Sequence, residues 1–178
     1  MQSKIVYYVA TSIDGFIAGS HNDISSFFYE GEGVEKYKSD LSGFDTVLMG
    51  RKTYEVGFKF GLKPGSKAYP GMRNYIFSEH LYLENCEEGV HVCSMDANLI
   101  KEIRKTSTKD IYLCGGGMLA AWLLQHGQVD EVRIKINPII LGTGVKLFSN
   151  LDRTWKLHLT NQESFDEGMT ILSYDVIK

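Results

Sequence analysis

Three consecutive glycines, Gly115 to Gly117, separate the apolar segment "DIYLC" from the amphipathic segment "MLAAWLLQH". The first segment predicts a strand and the second a helix, so the glycines stand where the helix begins. A helix start presents unpaired N–H groups and partial positive charge, and glycine lets an anion approach the backbone closely. The arrangement favours phosphate binding, and a tight strand-to-helix turn is the alternative explanation.

A second junction between a strand and a helix carries cations as well as glycine. The segment "VLMGRKTYE" ends a predicted strand at Gly50 and places Arg51, Lys52 and Thr53 in the first turn of a helix. Basic side chains at a helix N-terminus oppose the helix dipole, so a bound anion explains them better than helix stability does. Solvated surface charge is the alternative here. Two anion sites on neighbouring strand ends suit an extended ligand with several phosphates, such as NADPH.

Two common nucleotide-binding motifs do not account for these glycines. Gly115, Gly117 and Ala120 satisfy a loose G-x-G-x-x-A pattern, but the Rossmann fingerprint normally follows the first strand and precedes an acidic residue about 20 positions later. Asp130 and Glu131 come too early for that role. The chain also has no G-x-x-x-x-G-K-[ST] segment, so a P-loop nucleotide hydrolase is not predicted.

The elements that would position these residues alternate along most of the chain. Predicted strands cover residues 4–10, 45–50, 73–78, 89–94, 110–115 and 129–138, and predicted helices cover 34–43, 51–60, 96–106 and 117–127. The strand, helix and strand from 110 to 138 predict a parallel pair with a right-handed crossover. Alternating residues in 154–178 predict an antiparallel hairpin around Asp166 to Gly168, so the sheet of this α/β fold is mixed. The long polar and aromatic segment from Thr11 to Glu32 predicts a lid or binding loop.

Composition narrows the class of protein. No stretch rich in proline, serine or charge divides the 178 residues, which predicts one domain over residues 1–178. The net charge of -3 and the lack of a long Lys/Arg run predict that nucleic acid is not a partner. With no signal-peptide pattern and no run of about 18 apolar residues, we expect a cytoplasmic protein without a membrane segment. Cys86, Cys93 and Cys114 lack paired spacing and the histidines are scattered, which predicts mostly buried free thiols and no metal.

Five segments occur in an order and spacing that resemble a known superfamily. They are "ATSIDGFIA" (10–18), "VLMGRKTYE" (47–55), "YIFS" (75–78), "IYLCGGGML" (111–119) and "VDEVRIKINPIILGTGVKLF" (129–148). The chain resembles the dihydrofolate-reductase-like superfamily, and within it the RibD C-terminal reductase domain and its stand-alone bacterial relatives. The resemblance implies a three-layer α/β sandwich: a mixed sheet of about eight strands with flanking helices, a C-terminal antiparallel hairpin, and NADPH lying across the strand ends. It also implies a homodimer.

The same resemblance implies which residues bind the cofactor. Ala10 and Ile13 would line the nicotinamide, and Asp14 and Gly15 would belong to a mobile loop that closes over it. The pyrophosphate and the adenosine 2'-phosphate would be held by Gly50, Arg51, Lys52, Thr53 and Ser78 on one side, and by Gly115, Gly116, Gly117 and the amides of Met118 and Leu119 on the other. Arg51 is the residue predicted to select NADPH over NADH.

On the substrate side the chain departs from the family pattern. Riboflavin reductases carry a D-P-x-L-x-x-R segment after the second helix, whereas residues 57–73 here are "GFKFGLKPGSKAYPGMR". Phe16 stands where the family usually has a basic residue, and Met118 stands where dihydrofolate reductase often has arginine or lysine. The predicted function is an NADPH-dependent reductase resembling 5-amino-6-(5-phosphoribosylamino)uracil reductase, acting on a small heterocyclic or sugar-linked molecule. Dihydrofolate reductase-type activity and a non-catalytic NADPH-binding module are the alternatives.

Reduction of a C=O or C=N group also needs a proton donor. Asp14 is the first candidate and Glu32 the second, while the "SIDG" tetrapeptide that contains Asp14 is equally consistent with an ordinary turn. The aromatic residues of the long loop, Phe16, Phe27, Phe28 and Tyr29, would form an apolar wall for a planar substrate or else part of the core.

Overall fold

A computed structural model describes residues 2–178 of the chain; Met1 lies outside the described part. The strands are β1 (Ile5–Thr11), β2 (Phe16–Ala18), β3 (Phe44–Gly50), β4 (Arg73–Phe77), β5 (Val90–Cys93), β6 (Asp110–Gly115), β7 (Glu131–Ile136), β8 (Val145–Lys146), β9 (Leu157–Ser164) and β10 (Thr170–Val176). The α-helices are α1 (Glu32–Asp40), α2 (Arg51–Val56), α3 (Ala97–Thr106) and α4 (Gly117–Gln125). Short 3-10 turns cover Ser20–Asn22, Leu41–Gly43 and Gly57–Phe60.

Eight strands form one mixed sheet in the order β5-β4-β3-β6-β1-β7-β10-β9. The six strands from β5 to β7 in this order run parallel, and β10 pairs antiparallel with both β7 and β9. These pairings confirm the predicted mixed sheet of eight strands and the C-terminal hairpin. The strands β6 and β7 are parallel as expected, but they are not neighbours, because β1 lies between them and pairs with both.

Helices cover both faces of the sheet, so the predicted three layers are confirmed. On one face, α3 and α4 pack through residues such as Ile100 and Leu123 against the sheet residue Ile5. On the other face, Tyr54 of α2 packs with Tyr8 of the sheet, and the partly buried Tyr37 of α1 joins them. The first four residues of β1 are fully buried, because β1 has neighbours at both edges and helices on both faces.

The structure contains a small second sheet that the sequence did not predict. The strands β2 and β8 pair antiparallel, Phe16 with Lys146 and Ala18 with Val145. Strands of three and two residues are too short to show an alternating pattern. This pairing joins the loop after β1 to the loop after β7, so the segment predicted as a lid is attached to a second segment near the end of the chain.

Several smaller expectations can also be compared with the structure. Asp96 caps α3, because its carboxylate accepts a hydrogen bond from the Asn98 amide at 2.8 Å. The three cysteines are free, but Cys86 is exposed, so the expectation of mostly buried thiols is wrong for that residue. Within residues 2–178, no helix is long and apolar enough to cross a membrane, and no cluster of three or more His, Cys, Asp or Glu side chains is arranged to hold a metal ion.

Candidate functional site

The predicted site residues come together at one edge of the sheet. Because six neighbouring strands are parallel, their carboxyl ends share that edge. From β4 to β7 the strands end at Phe77, Gly50, Gly115, Thr11 and Ile136, in the order β4, β3, β6, β1 and β7. All the residues predicted to bind the cofactor lie at or beside the ends of the first four of these strands. Their roles in binding stay predictions.

The two glycine-bearing junctions are neighbours. Met49 of β3 is paired with Gly115 of β6, which places Gly50 beside the start of α4. A Cβ atom built on Gly50 would lie 3.8 Å from the Gly116 amide nitrogen and 3.9 Å from the Gly115 carbonyl oxygen. A side chain at position 50 would therefore occupy the space between the two strand ends, which glycine leaves free for a ligand.

Each of the three consecutive glycines has a different structural environment. Gly115 has a φ of +118°, a conformation that L side chains rarely adopt, and a cis peptide bond joins it to Gly116. A Cβ atom on Gly117 would overlap the carbonyl oxygen of Lys146, and the Gly117 carbonyl accepts a hydrogen bond from the Ser149 amide at 3.1 Å. Chain geometry thus accounts for Gly115 and Gly117. Gly116 has an ordinary φ of −82° and ordinary space around a Cβ atom, so the turn does not account for it.

The helix that follows the glycines starts without a side-chain cap. Gly116 is the N-cap residue of α4, and no side chain accepts a hydrogen bond from the amides of its first turn. The Met118 side chain is 67% exposed, whereas Leu119 is 4% exposed and packs in the core. Leu119 could therefore contact a ligand through its backbone amide but not through its side chain, as the family pattern implies. The first turn of α4 retains the N–H donors that an anion would need.

The cations of α2 lie beside this turn, with one of them already paired. The Arg51 guanidinium donates hydrogen bonds to both carboxylate oxygens of Glu55, at 2.8 and 3.0 Å. Lys52 is exposed, and the Thr53 hydroxyl oxygen lies 3.5 Å from the position that a Cβ atom on Gly116 would take. To contact a 2'-phosphate, Arg51 would have to exchange its carboxylate partner for the phosphate, which the half-exposed position of its side chain permits.

Ser78, after β4, is engaged in its own turn. Its hydroxyl oxygen accepts hydrogen bonds from the amides of His80 and Leu81, at 3.1 and 2.9 Å. The hydroxyl proton remains available to a phosphate oxygen, because both recorded bonds use the oxygen as acceptor. Ser78 therefore keeps its hydroxyl proton as a free donor beside the end of β4.

Asp14 links two loops. Its carboxylate accepts hydrogen bonds from the amides of Leu141 and Gly142, at 3.1 and 2.7 Å. Hydrogen bonding from Ser12, followed by these two amides, lowers the pKa of the exposed Asp14 carboxyl below its usual value. A group that stays ionised at neutral pH is a poor proton donor, so this arrangement favours a structural role for Asp14 over the catalytic one. The two amides belong to a distant loop and not to the predicted turn.

The other predicted residues near β1 have varied exposure. Ala10 is partly buried at the end of β1, Gly15 has a φ of +81°, and the Ile13 side chain is 64% exposed while its amide donates to the Ile139 carbonyl at 2.9 Å. An exposed isoleucine beside a strand end is consistent with a contact to a flat apolar ring. Glu32 is exposed at the first position of α1, and its role as the second proton donor stays a prediction.

A hollow with an aromatic wall lies between the long loop and the segment after α2. It has a volume of about 350 Å³ and is lined by Asn22, Asp23, Ile24, Ser25, Tyr29, Lys59 and Phe60. The rings of Tyr29 and Phe60 are exposed, and their centroids are 6.3 Å apart. In the same loop Phe27 is buried, which agrees with the core alternative for that residue, whereas a substrate contact by Tyr29 stays a prediction. The hollow offers a planar molecule apolar contact next to the cation Lys59 and the carboxylate of Asp23.

One feature of the site was missed in the sequence. Lys135 lies on β7, directly beside Ala10 of β1, and is 6% exposed. The available signal was the alternation of "EVRIKI", which puts Glu131, Arg133 and Lys135 on the same face of a strand that was predicted to belong to a parallel pair. Three charged residues on one face of such a strand indicate either internal ion pairs or a polar site.

Comparison with known proteins agrees with the fold and with the earlier resemblance. The family model described as "RibD C-terminal domain" matches residues 3–171. The chain is 26% identical over 181 residues to the uncharacterized protein YyaP of Bacillus subtilis (strain 168), with 97% of this chain and 95% of that protein covered.

Solved structures with the same architecture include reductases. A putative riboflavin biosynthesis protein from Shewanella sp. PV-4 superposes with a TM-score of 0.81 at 20% identity, with 100% of both chains covered. Dihydrofolate reductase from Enterococcus faecalis, solved with NADP(H), superposes with a TM-score of 0.71 at 15% identity, with 100% of this chain and 99% of that chain covered. At these identities the superpositions establish the fold, and they confirm that it is dihydrofolate-reductase-like.

Proposed function

Because this chain belongs to the RibD C-terminal domain family, we propose that it is an NADPH-dependent reductase acting on a small heterocyclic or sugar-linked substrate. The observation that best supports the proposal is the pair of adjacent glycine-bearing strand ends, where Gly50 faces Gly116 beside the uncapped start of α4. An extended ligand with a pyrophosphate fits this combination of free amides and open space.

The residues present fit a reduced dinucleotide. The backbone of Gly50, Gly116 and the first turn of α4 would hold the pyrophosphate, and Arg51 with Lys52 would hold the 2'-phosphate. When bound, the coenzyme supplies a hydride. The task left to the protein is to hold the acceptor carbon at the end of β1, within about 3 to 3.5 Å of the hydride-bearing carbon, and to exclude water.

The aromatic hollow supports a planar substrate with an anionic substituent. Tyr29 and Phe60 would contact the ring system, and Lys59 lines the same hollow and would attract a phosphate or carboxylate group. Lys59 belongs to the segment 57–73 that replaces the D-P-x-L-x-x-R pattern, so phosphate binding in this protein would use a different cation. A pyrimidine with a sugar phosphate, as in 5-amino-6-(5-phosphoribosylamino)uracil, combines both features.

The test has two stages. NADPH and NADH are first titrated into the protein, and binding is measured by thermal unfolding and by coenzyme fluorescence. We expect NADPH to bind more tightly than NADH. NADPH oxidation is then measured with 5-amino-6-(5-phosphoribosylamino)uracil, dihydrofolate and a panel of small carbonyl compounds. Oxidation that depends on one of these compounds supports the reductase. Tight NADPH binding without turnover of any compound would favour the non-catalytic binding module instead.

We also propose a homodimer. The strand β9 lies at the end of the sheet, and its residues Leu157 and Leu159 are 39% and 46% exposed. An edge strand with exposed apolar side chains is a surface through which a second copy can pair. Light scattering coupled to size-exclusion chromatography decides the question, because a monomer mass across the accessible concentrations would contradict the proposal.

A further inference from the structure

Lys135 is a buried lysine whose charge has no anionic partner among the described residues. Its side chain is 6% exposed, and among residues 2–178 its ammonium group forms no ion pair and donates no hydrogen bond. The contact recorded for this group is with the face of the Tyr37 ring, 4.6 Å from the ring centroid. Burial of an unpaired charge is unfavourable, so a folded protein that retains one usually uses it.

The position of Lys135 in the sheet brings it to the candidate site. It is paired with Ala10 of β1 on one side and with Ile171 of β10 on the other. Paired residues on neighbouring strands direct their side chains to the same face of a sheet. Lys135 therefore lies on the α1 side of the sheet, next to the residue expected to line the nicotinamide and one residue before the end of β7.

The acidic groups on the surrounding elements do not neutralise Lys135, because they are engaged elsewhere. The recorded pairs are Glu131 with Arg133, Asp40 with Lys36 and the Tyr8 hydroxyl, Glu163 with Lys36, Glu35 with Lys38, and Glu167 with the Gly33 amide. The remaining acidic residue of α1, Glu32, is exposed at the first turn. Lys38 adds a second positive charge on the α1 side.

The ammonium group has no hydrogen-bond acceptor to give up among the described residues. The contact of Lys135 Nζ is with the face of the Tyr37 ring. A substrate atom placed above Ala10 can therefore approach Nζ without displacing an existing partner.

We propose that Lys135 is the catalytic proton donor, with its Nζ hydrogen-bonded to the oxygen or nitrogen of the substrate's C=O or C=N group. The proposal rests on the reductase function proposed above. As the hydride from the reduced nicotinamide forms the new C–H bond, the C=O or C=N π electrons take a proton from Nζ to form O–H or N–H. Lys135 is left as a neutral amine and regains its proton from solvent.

The acidity of Lys135 suits this role. Burial, assisted by the positive charge of Lys38, lowers the pKa of the Lys135 ammonium from its usual 10.5 to about 8. A general acid works best when its pKa lies near the operating pH, because it is then protonated and still releases its proton readily. The ionised carboxylate of Asp14 lacks this property.

The first experiment is an NMR titration, and its pH series needs neither turnover nor cofactor. Protein labelled with 13C at the lysine ε-carbons is titrated by NMR, and the Lys135→Met variant assigns the signal. We expect a midpoint near 8, a higher midpoint in Lys38→Gln, and a shift of the Lys135 signal when 5-amino-6-(5-phosphoribosylamino)uracil is added with NADPH. An ordinary lysine midpoint near 10.5, or a signal that the pyrimidine leaves unchanged, would overturn the proposal even if the enzyme is active.

The second experiment separates proton transfer from simple charge. Lys135→Met and Lys135→Arg are compared for NADPH oxidation with the same pyrimidine, and Lys109→Met serves as the control because Lys109 lies at the opposite edge of the sheet, where its ammonium binds the Ser42 carbonyl. We expect kcat to fall by about 10²–10⁴-fold in both Lys135 variants, with NADPH affinity unchanged, because arginine keeps the charge but does not release a proton. Wild-type activity should decline as the pH rises through about 8, and the variants should lose this decline.

The outcomes distinguish the two proposals. Full activity of Lys135→Arg would overturn proton donation by Lys135 and leave the reductase proposal standing. If the wild-type protein binds NADPH but turns over no compound, the reductase proposal fails, and the NMR titration still decides whether Lys135 is an acidic group that contacts the pyrimidine.

Discussion

Gly50 and Gly116 face each other across the ends of two neighbouring strands, with 3.8 Å between the Gly116 amide nitrogen and the position of a Cβ atom on residue 50. The space between them is the most specific feature of the proposed coenzyme site. The contribution of this space to coenzyme binding can be measured by placing a side chain in it. Gly50 has a φ of −78°, which any residue adopts without strain.

We predict that Gly50→Ala weakens NADPH binding by at least about tenfold while the melting temperature changes little. The added methyl group meets its neighbours at ordinary contact distance, so the fold tolerates it, but it occupies the space that a phosphate needs. Isothermal titration calorimetry and thermal unfolding measure the two effects. Gly43→Ala is the matched control, because a Cβ atom there meets nothing within 4 Å. Equal affinity in the two variants would show that the coenzyme does not use this space.

Arg51 should determine the preference for NADPH. Its guanidinium can bind the 2'-phosphate through charge-assisted hydrogen bonds, which the ribose hydroxyl of NADH cannot match. We expect Arg51→Gln to lower the affinity for NADPH by about 10- to 100-fold and to leave the affinity for NADH nearly unchanged. Glu55→Gln, which removes the present partner of Arg51, should strengthen NADPH binding. Parallel losses for both coenzymes would contradict this assignment.

Asp14 should act as a brace and not as an acid. We expect Asp14→Asn to speed amide hydrogen exchange in residues 139–144 and to lower kcat by less than about a hundredfold, since loss of a proton donor costs about 10²–10⁴-fold. The lowered pKa of Asp14 gives the sign of the pH effect. The ionised carboxylate holds the amides of Leu141 and Gly142 at neutral pH, and this contact is lost only as the pH falls through the lowered pKa. A much larger fall in kcat, with unchanged hydrogen exchange, would restore Asp14 as the donor.

The buried charge of Lys135 should also reduce stability in a pH-dependent manner. The pKa falls from 10.5 to about 8 on folding, so the penalty is fully present below pH 8 and disappears as the pH rises toward 10.5. At neutral pH this term is on the order of 3 kcal/mol, and Lys135→Met should remove it. Denaturant unfolding of the wild type, Lys135→Met and Lys109→Met across this range measures the effect. A difference between wild type and Lys135→Met that stays constant with pH would contradict burial of the charged group.

The sequence was most informative where local patterns determine structure. The apolar residues of β1, the cap at Asp96 and the alternation in the C-terminal hairpin each depend on a few consecutive residues, and all three predictions are confirmed. The position of β1 between β6 and β7 depends on pairing between distant segments, which no local pattern contains. The two-residue strand β8 is likewise too short for any period to appear.

The same distinction applies to the candidate site. Its glycines and cations were identified because a strand end followed by a helix start is a local feature. The pairing of Arg51 with Glu55 was also accessible, since residues four apart on a helix are neighbours. The environment of Lys135 was not, because Tyr37 and Ala10 reach it from distant parts of the chain. The sequence pattern could place Lys135 on a charged strand face, but it could not show that the ammonium group lies against the Tyr37 ring.

We expect the small sheet of β2 and β8 to control how the candidate site opens. With Phe16 paired to Lys146 and Asp14 bound to the amide of Gly142, we expect both segments to swing together as one rigid flap. The Ser149 amide connects this flap to Gly117, so each opening would also disturb the turn that we propose binds the pyrophosphate. Coenzyme exchange and flap motion would then have the same rate. Unrelated rates for the β2 and β8 segments in NMR relaxation dispersion would disprove the joint motion.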